Sequence, residues 1–373
     1  MHVMQACGWL HLSKSTHCIY KWSVGKEKTS MVKGAGLSLF KKFQETTLEP
    51  ILKRSITRNN SFQVDALELG KKFSGSRNGV FAVQDLSFSV PQGQMFGLLG
   101  PDGAGKTTTL RMLASVMPAS LGRATIGGFD TQREKRQARQ LIGYMPQNFS
   151  LYPDLSVMEN LFFFADINGV HGSRRNERIQ EMLEFTRLKE FTKRRAANLS
   201  GGMKKKLALA CALLHEPEVL LLDEPSTGVD PVSRRELWVI LAQVVQEGVT
   251  VIVSTPYMDE AERCHQVGIL YGGKLLTTGT PTDLQNSLPY EIVEVKAKPR
   301  KVMRQIVGEA AYVSQWRTIG DRLRLSVIDP KSALESLQRE LTAADAEIKL
   351  LRHSKRTMED VFIHLVEERR ARV

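Results

Sequence analysis

The stretch Gly100-Pro101-Asp102-Gly103-Ala104-Gly105-Lys106-Thr107 constrains this chain more than any other, because it fits the phosphate-binding pattern G-x-x-x-x-G-K-[ST]. A triphosphate is held by backbone N–H groups, and a glycine-rich turn is what aims several of them inward together. The helix that follows adds the partial positive charge of its N-terminus. In this pattern Lys106 reaches the β- and γ-phosphates and the Thr107 hydroxyl holds Mg²⁺. A chance match arises in on the order of 1% of chains this long. The flanks argue against chance. Gln94 to Leu99 is short and apolar enough for a buried strand, and Thr108 to Val116 reads as a helix stopped by Pro118 and Gly122.

A pair of carboxylates fits the same chemistry. Val219-Leu220-Leu221-Leu222 is an unbroken apolar run, as a parallel strand buried on both faces requires. Asp223 and Glu224 stand at its C-terminal end, where ligands bind in open α/β sheets. Asp223 suits the Mg²⁺ shell, and Glu224 suits the water that attacks a phosphoryl group. Two carboxylates after a strand are often only a solvated turn; a phosphate loop upstream turns the reading toward catalysis.

Other segments supply the frame. Phe62 to Leu69, Val80 to Val83 and Leu86 to Val90 read as short antiparallel strands closed by a Pro91-Gln92-Gly93 turn. Phe73 falls in the loop between the first two, where an aromatic either stacks on a purine or merely packs. Arg123 to Ile126 and Ile142 to Pro146 read as strands, with Gln147 following the second. Val157 to Leu214 has helical period, an α-rich insertion. Near its end Ser200 is a good N-cap, and Gly201 and Gly202 leave helix N–H groups open to an anion, although a plain capped loop accounts for them equally. Val249 to Ser254 reads as a strand, followed by a helix through Arg263 and a hairpin turning at Gly272-Gly273.

The net charge is +12, and residues 1–64 hold ten Lys/Arg against three Glu, so more than half of the excess lies outside the nucleotide core. A basic balance fits nucleic acid and an anionic membrane surface alike. No run of 18 apolar residues occurs, so the chain is not expected to span a bilayer. No signal peptide is expected either. Residues 1–60 read as a basic amphipathic helix broken at Pro50 or as a disordered leader, with Met31 an alternative start. Cys7, Cys18, Cys211 and Cys264 form no C-x-x-C pair, which argues against a disulfide scaffold and fits a reducing cytosol.

GPDGAGKT, Gln147, the LSGGM of residues 199–203, the LLLDEP of residues 220–225 and the STGVD of residues 226–230 stand in one order. In that order and rough spacing, residues from about 62 to 285 resemble the nucleotide-binding domain of ABC transporters. The resemblance implies an α/β P-loop NTPase cassette over residues 61–285, with a mixed sheet core, an antiparallel β subdomain and a helical subdomain at about 148–214. It implies head-to-tail pairs, with ATP between the P-loop of one cassette and the LSGG of the other. Gly100, Pro101, Asp102, Gly103, Ala104 and Gly105 then cradle phosphate, and Lys106, Thr107, Thr108 and Asp223 hold phosphate and Mg²⁺. Phe73 resembles the adenine-stacking aromatic, Gln147 the residue linking γ-phosphate and Mg²⁺ to the helical subdomain, and Glu224 the catalytic carboxylate. Asp230 resembles the contact across the pair, and Ser200, Gly201 and Gly202 complete the partner's site.

Two positions depart from the family pattern. Met203 stands where many members have Gln, a variant resembling the branch that pairs with ABC-2 type exporters, and Pro256 stands where a histidine usually contacts the γ-phosphate. Proline offers neither a side-chain donor nor a backbone N–H, so slow hydrolysis, or reliance on a second cassette, is one expectation; sufficiency of Glu224 is the other.

From about 289 to 373 the elements run β-α-β-β-α-β and then a last helix opened by Thr357-Met358-Glu359-Asp360, an α+β accessory domain with the order of a ferredoxin-like sandwich. The expected whole is a peripheral ATPase subunit on the cytoplasmic face of the membrane, binding ATP and Mg²⁺. Its expected partners are permease subunits, met through Leu151 to Val157, and a second cassette, identical or not. Nucleic acid is not an expected partner. A soluble ABC protein acting on ribosomes or DNA suits the charge, but such proteins join two cassettes in one chain or carry long coiled coils, and this chain does neither.

Overall fold

The computed structural model describes residues 62–73, 79–148 and 151–371; the leader read at residues 1–60 lies outside them. In chain order the elements begin with β1 (Val64–Phe73), β2 (Val80–Val90), β3 (Met95–Leu99), α1 (Lys106–Leu113), β4 (Leu121–Ile126), β5 (Phe129–Asp130), α2 (Lys135–Gln140) and β6 (Ile142–Met145). A helical block follows, with α3 (Val157–Ile167), α4 (Gly172–Phe185) and α5 (Gly201–Leu213). Then come β7 (Val219–Asp223), α6 (Pro231–Gln246), β8 (Thr250–Thr255), α7 (Met258–Ala261), β9 (Gln266–Tyr271), β10 (Lys274–Gly279) and α8 (Pro281–Asn286). The last third holds β11 (Glu291–Lys298), α9 (Arg300–Glu309), β12 (Val313–Ile319), β13 (Arg322–Val327), α10 (Pro330–Ala343), β14 (Glu347–Ser354) and α11 (Met358–Ala371).

Three sheets result. The central one has the order β10-β9-β3-β8-β7-β6, parallel from β9 to β6 with β10 antiparallel at the edge. Strands β3, β7 and β8 are buried along their whole length, which is why they read as apolar runs rather than alternations. Leu99 pairs with Thr255 and Asp223 with Ser254, so these three strands end side by side and deliver the P-loop, the acidic pair and the Pro256 turn to one edge.

The antiparallel sheet β2-β1-β4-β5 packs through Val83, Leu86 and Ile126 into a core shared with Phe96, Leu98 and Leu110. Two expectations change here. Val80 to Val90 is one strand rather than two, because Asp85 takes a left-handed conformation (φ 53°) while the ladder continues through it as an irregularity. Phe73 is not in a loop: it ends β1, paired with Val80. Helix α1 stops at Leu113 rather than Val116 because Ser115 turns left-handed (φ 57°), and α7 ends at Ala261, short of Arg263.

In the helical block, Ser156 and Glu159 form a reciprocal capping box that starts α3, and Ser200 caps α5. Helix α5 is buried from Lys206 to Leu213, and Cys211 is a core residue there whose thiol pKa burial pushes up.

The third sheet, β12-β13-β11-β14, is antiparallel and has its own core of Val293, Val295, Leu323, Leu325 and Leu337. Helix α11 does not belong to that core. Met358 and Val361 insert into the apolar cluster of the central sheet and helical block, and the Met358 N–H donates to Glu262 Oε1 at 3.1 Å. Among the described residues no helix is long and apolar enough to cross a membrane.

Candidate nucleotide-binding site

The loop between β3 and α1 is shaped by its glycines. Gly105 opens α1 at φ 105°, and a Cβ there would lie 2.6 Å from the Ala82 carbonyl oxygen; one on Gly100 would lie 2.4 Å from that of Leu270. The loop is thus wedged against β2 and β9 on one side, whereas a Cβ on Gly103 meets nothing within 4 Å. Lys106, 4% exposed, is wrapped by its own loop: Nζ donates to the carbonyls of Gly100 (2.8 Å) and Pro101 (3.1 Å). It also lies 3.3 Å from Glu224 Oε1 and 4.0 Å from Asp102. Thr107 and Thr108 follow in the first turn of α1, and Ala104 is buried beneath.

Asp223 is fully buried. Its Oδ1 accepts from Ser254 Oγ (2.7 Å) and Thr107 Oγ1 (3.1 Å), while Oδ2 is buried with no partner. Burial raises its pKa, against the hydrogen bonds from Ser254 and Thr107 that lower it. An orphaned carboxylate oxygen beside a threonine hydroxyl is the donor set a hard divalent cation takes, so Asp223 and Thr107 fit Mg²⁺.

Glu224 leaves β7 with φ 50°, uncommon for a residue with a side chain, and its N–H is held by Ser254 Oγ at 3.0 Å. Its Oε2 accepts from Gln147 Nε2 (2.9 Å) and Thr227 Oγ1 (3.2 Å). Gln147 therefore turns its amide nitrogen to Glu224. Lysine Lys205 of α5 reaches the same place, donating from Nζ to the carbonyls of Gln147 (3.1 Å) and Glu224 (3.4 Å).

The other expected residues form two separate groups. Ser200 Oγ accepts from the Met203 N–H (3.3 Å). Gly202 lets α5 close on α6, since a Cβ there would lie 2.4 Å from that of Ser233, and Gly201 faces the Gly228 carbonyl. Asp230 caps α6, accepting from the N–H groups of Ser233 (2.9 Å) and Val232 (3.1 Å), and the Ser233 bond holds its carboxyl below the usual range. Phe73 stands 42% exposed with Lys71 Nζ 5.4 Å from its ring centroid.

The turn after β8 is pinned by a fully buried Glu260. It accepts from Thr255 Oγ1 (2.5 Å), Arg234 Nε (2.6 Å) and Trp238 Nε1 (3.0 Å), and Arg234 stacks 4.5 Å over the Tyr257 ring. Pro256 sits between these fixed points. Sequence reasoning missed Ser254, Thr227 and Lys205. A small hydroxyl residue near the end of a buried parallel strand is a signal for Ser254; a lysine within Lys204-Lys205-Lys206 reads as a solvated face.

Residues 83–227 match the family model described as ABC transporter, and residues 279–366 match that of the ATP-binding protein DrrA1-3-like, C-terminal domain. The chain is 47% identical over 223 residues to the probable multidrug ABC transporter ATP-binding protein YbhF of Escherichia coli; the match covers 60% of this chain and 38% of YbhF, well under half of that relative's length. It is 36% identical over 285 residues to the Nod factor export ATP-binding protein I of Paraburkholderia xenovorans, covering 76% of this chain and 91% of that one. Among solved structures, the dimeric post-hydrolysis state of the ATP-binding cassette MJ0796 bound to ADP and Pi superposes with a TM-score of 0.54 at 23% identity, over 58% of this chain and 98% of that one.

Proposed function

This chain belongs to the ABC transporter family of ATP-binding proteins, and from that premise we propose that it hydrolyses ATP to drive a separate membrane permease that exports its substrate. Family membership carries ATP and Mg²⁺ binding, and ABC ATPases pair with one another and with permeases. The observation that carries the reading is one connected network. Lys106, Glu224 and Gln147 touch in sequence, and Thr107, Asp223 and Ser254 touch beside them, all at the ends of β3, β6, β7 and β8.

Phosphate binds where Lys106 now holds its own loop carbonyls, and Thr107 and Asp223 would hold Mg²⁺, which would supply positive charge to the phosphate oxygens. Glu224, fixed by Gln147 and Thr227, orients the attacking water and takes its proton. Phe73 stacks on the base, and Ser200, Gly201, Gly202 and Asp230 face a second cassette, as the dimer of MJ0796 supports. Export follows the relative described as a Nod factor export ATP-binding protein, and YbhF, described as a probable multidrug ABC transporter ATP-binding protein, supports the transporter class. The accessory domain from 289 to 373 braces the cassette rather than reacting, and Leu151 to Val157, at the start of α3, meets the permease.

The test is purification of the native complex from detergent-solubilised cells. A polytopic membrane protein at comparable stoichiometry and ATP turnover by the complex are expected; ribosomal proteins or nucleic acid without a membrane partner overturn the export reading. Pro256 slows the cycle in this reading, so Pro256→His speeds turnover, and an unchanged rate sinks that detail.

A further inference from the structure

We propose that Lys205 is a positioning residue of the site, tying the helix that begins at Ser200 to the backbone segments that carry Gln147 and Glu224. Two neighbouring lysines of α5 have different surroundings. Lys206 is buried and pairs with Glu236 of α6, whereas Lys205 turns to the β6 and β7 ends. Its Nζ donates to the carbonyl of Gln147 at 3.1 Å and to that of Glu224 at 3.4 Å. Those two residues are already joined side chain to side chain at 2.9 Å, so Lys205 closes a ring of three hydrogen bonds.

Two of the three bonds in that ring come from the ammonium. An ammonium is a compact charge with several donors and no acceptor, suited to two carbonyls that converge from different loops. The Glu224 backbone is left-handed, a conformation held only where its surroundings over-determine it. Gln147 is exposed, so little packing fixes its carbonyl. Between Ser200 and Lys205 lies about one and a half turns of helix, so the capped end and the ammonium move as one body. A displacement of the Ser200-Gly201-Gly202 end therefore reaches Gln147 and Glu224 of the same chain. This inference rests on the nucleotide-site reading above for its catalytic consequence, but not for its structural one.

The experiment compares wild type, Lys205→Met and Lys205→Arg in the full-length chain within its purified complex, by ATP turnover and by hydrogen exchange without nucleotide. Expected for Lys205→Met is a kcat lower by about tenfold with KM within about twofold, since the ring orients Glu224 rather than binding ATP. Arginine, which keeps charge and donors, restores most of the loss. Without nucleotide, exchange at Glu224 and Thr227 becomes faster while Leu207 to Leu213 stays protected. Wild-type kcat in Lys205→Met, or unchanged exchange at Glu224 and Thr227, overturns the proposal. Should the Met variant lose protection throughout, Lys205→Leu, which likewise has no donor, carries the test on the same criteria. Absence of turnover in wild type sinks the ATPase reading instead, and exchange alone then decides Lys205.

Discussion

At the ends of β7 and β8, Asp223 is fully buried and keeps one carboxylate oxygen without a partner, whereas in the C-terminal sheet a cluster of equally buried charge is saturated. There Arg324 donates from Nε and Nη2 to Asp360 (3.1 and 2.7 Å) and from Nη1 to Glu294 (2.9 Å). Arg317 and Thr357 complete Asp360, and Arg322 and Arg352 complete Glu294. The two clusters shift their acids in opposite directions. Burial raises Asp223, and the bonds it receives do not offset that; burial also opposes ionisation of Asp360 and Glu294, but hydrogen bonds from Arg324 and Thr357, and from Arg352 and Arg322, outweigh it and hold both below the usual range. The unpaired oxygen leaves Asp223 able to take a further partner, whereas the saturated cluster acts as a staple. Here the staple fastens the start of α11, whose Met358 and Val361 lie in the cassette core, to β13 of the accessory sheet.

The largest effect is expected at Glu224. Glu224→Gln keeps the shape and the Gln147 contact but removes the base, so turnover falls by about 10²–10⁴-fold while ATP binding, measured by equilibrium titration, persists. Turnover within threefold of wild type leaves the site without its proposed base. Next, Arg324→Met removes the side chain that joins Asp360 to Glu294, leaving Asp360 to Arg317 and Thr357 and Glu294 to Arg322 and Arg352, and costs about 1.5–3 kcal/mol in denaturant unfolding. A loss below about 1 kcal/mol means that the cluster is no staple. Third, acid separates the two regions. Asp360 and Glu294 have depressed folded pKa values, so their contribution is complete above the unfolded values near 4 and disappears as pH falls through the folded ones. Asp223, shifted upward, works in the opposite sense, since its folded form prefers the proton. Hydrogen exchange between pH 6 and about 3 therefore loosens β13 and the start of α11 before β7. Simultaneous loosening removes the contrast. Last and smallest, Ser156→Ala removes a cap remote from both clusters and costs about 1 kcal/mol, the scale against which the others are read.

Much of the fold was legible because its causes are local. The apolar runs of β3, β7 and β8 are what burial on both faces demands, and Gly100, Gly103 and Gly105 are what a backbone cradle demands. Phe73 was misplaced because pairing with Val80 extends β1 beyond its apolar part, through Lys71 and Lys72. Arg324 was invisible for a different reason. In Arg322-Leu323-Arg324-Leu325 the alternation predicts a solvated arginine face, but Asp360, reached from α11, covers it.

What is written locally in the chain is a set of residue types: a glycine-rich loop ending in Lys106-Thr107, an acidic pair after an apolar run, and a capped glycine pair, each made of residues near one another. Which of these groups stand together depends on long-range packing. Ser254 reaches Asp223 because β8 lies beside β7, Lys205 reaches Gln147 and Glu224 because α5 packs near both strand ends, and α11 returns to the cassette although its sequence neighbours belong to another sheet. The physical reason is range: turn geometry and burial period act over a few residues, whereas the partner of a buried charge is set by how the layers pack.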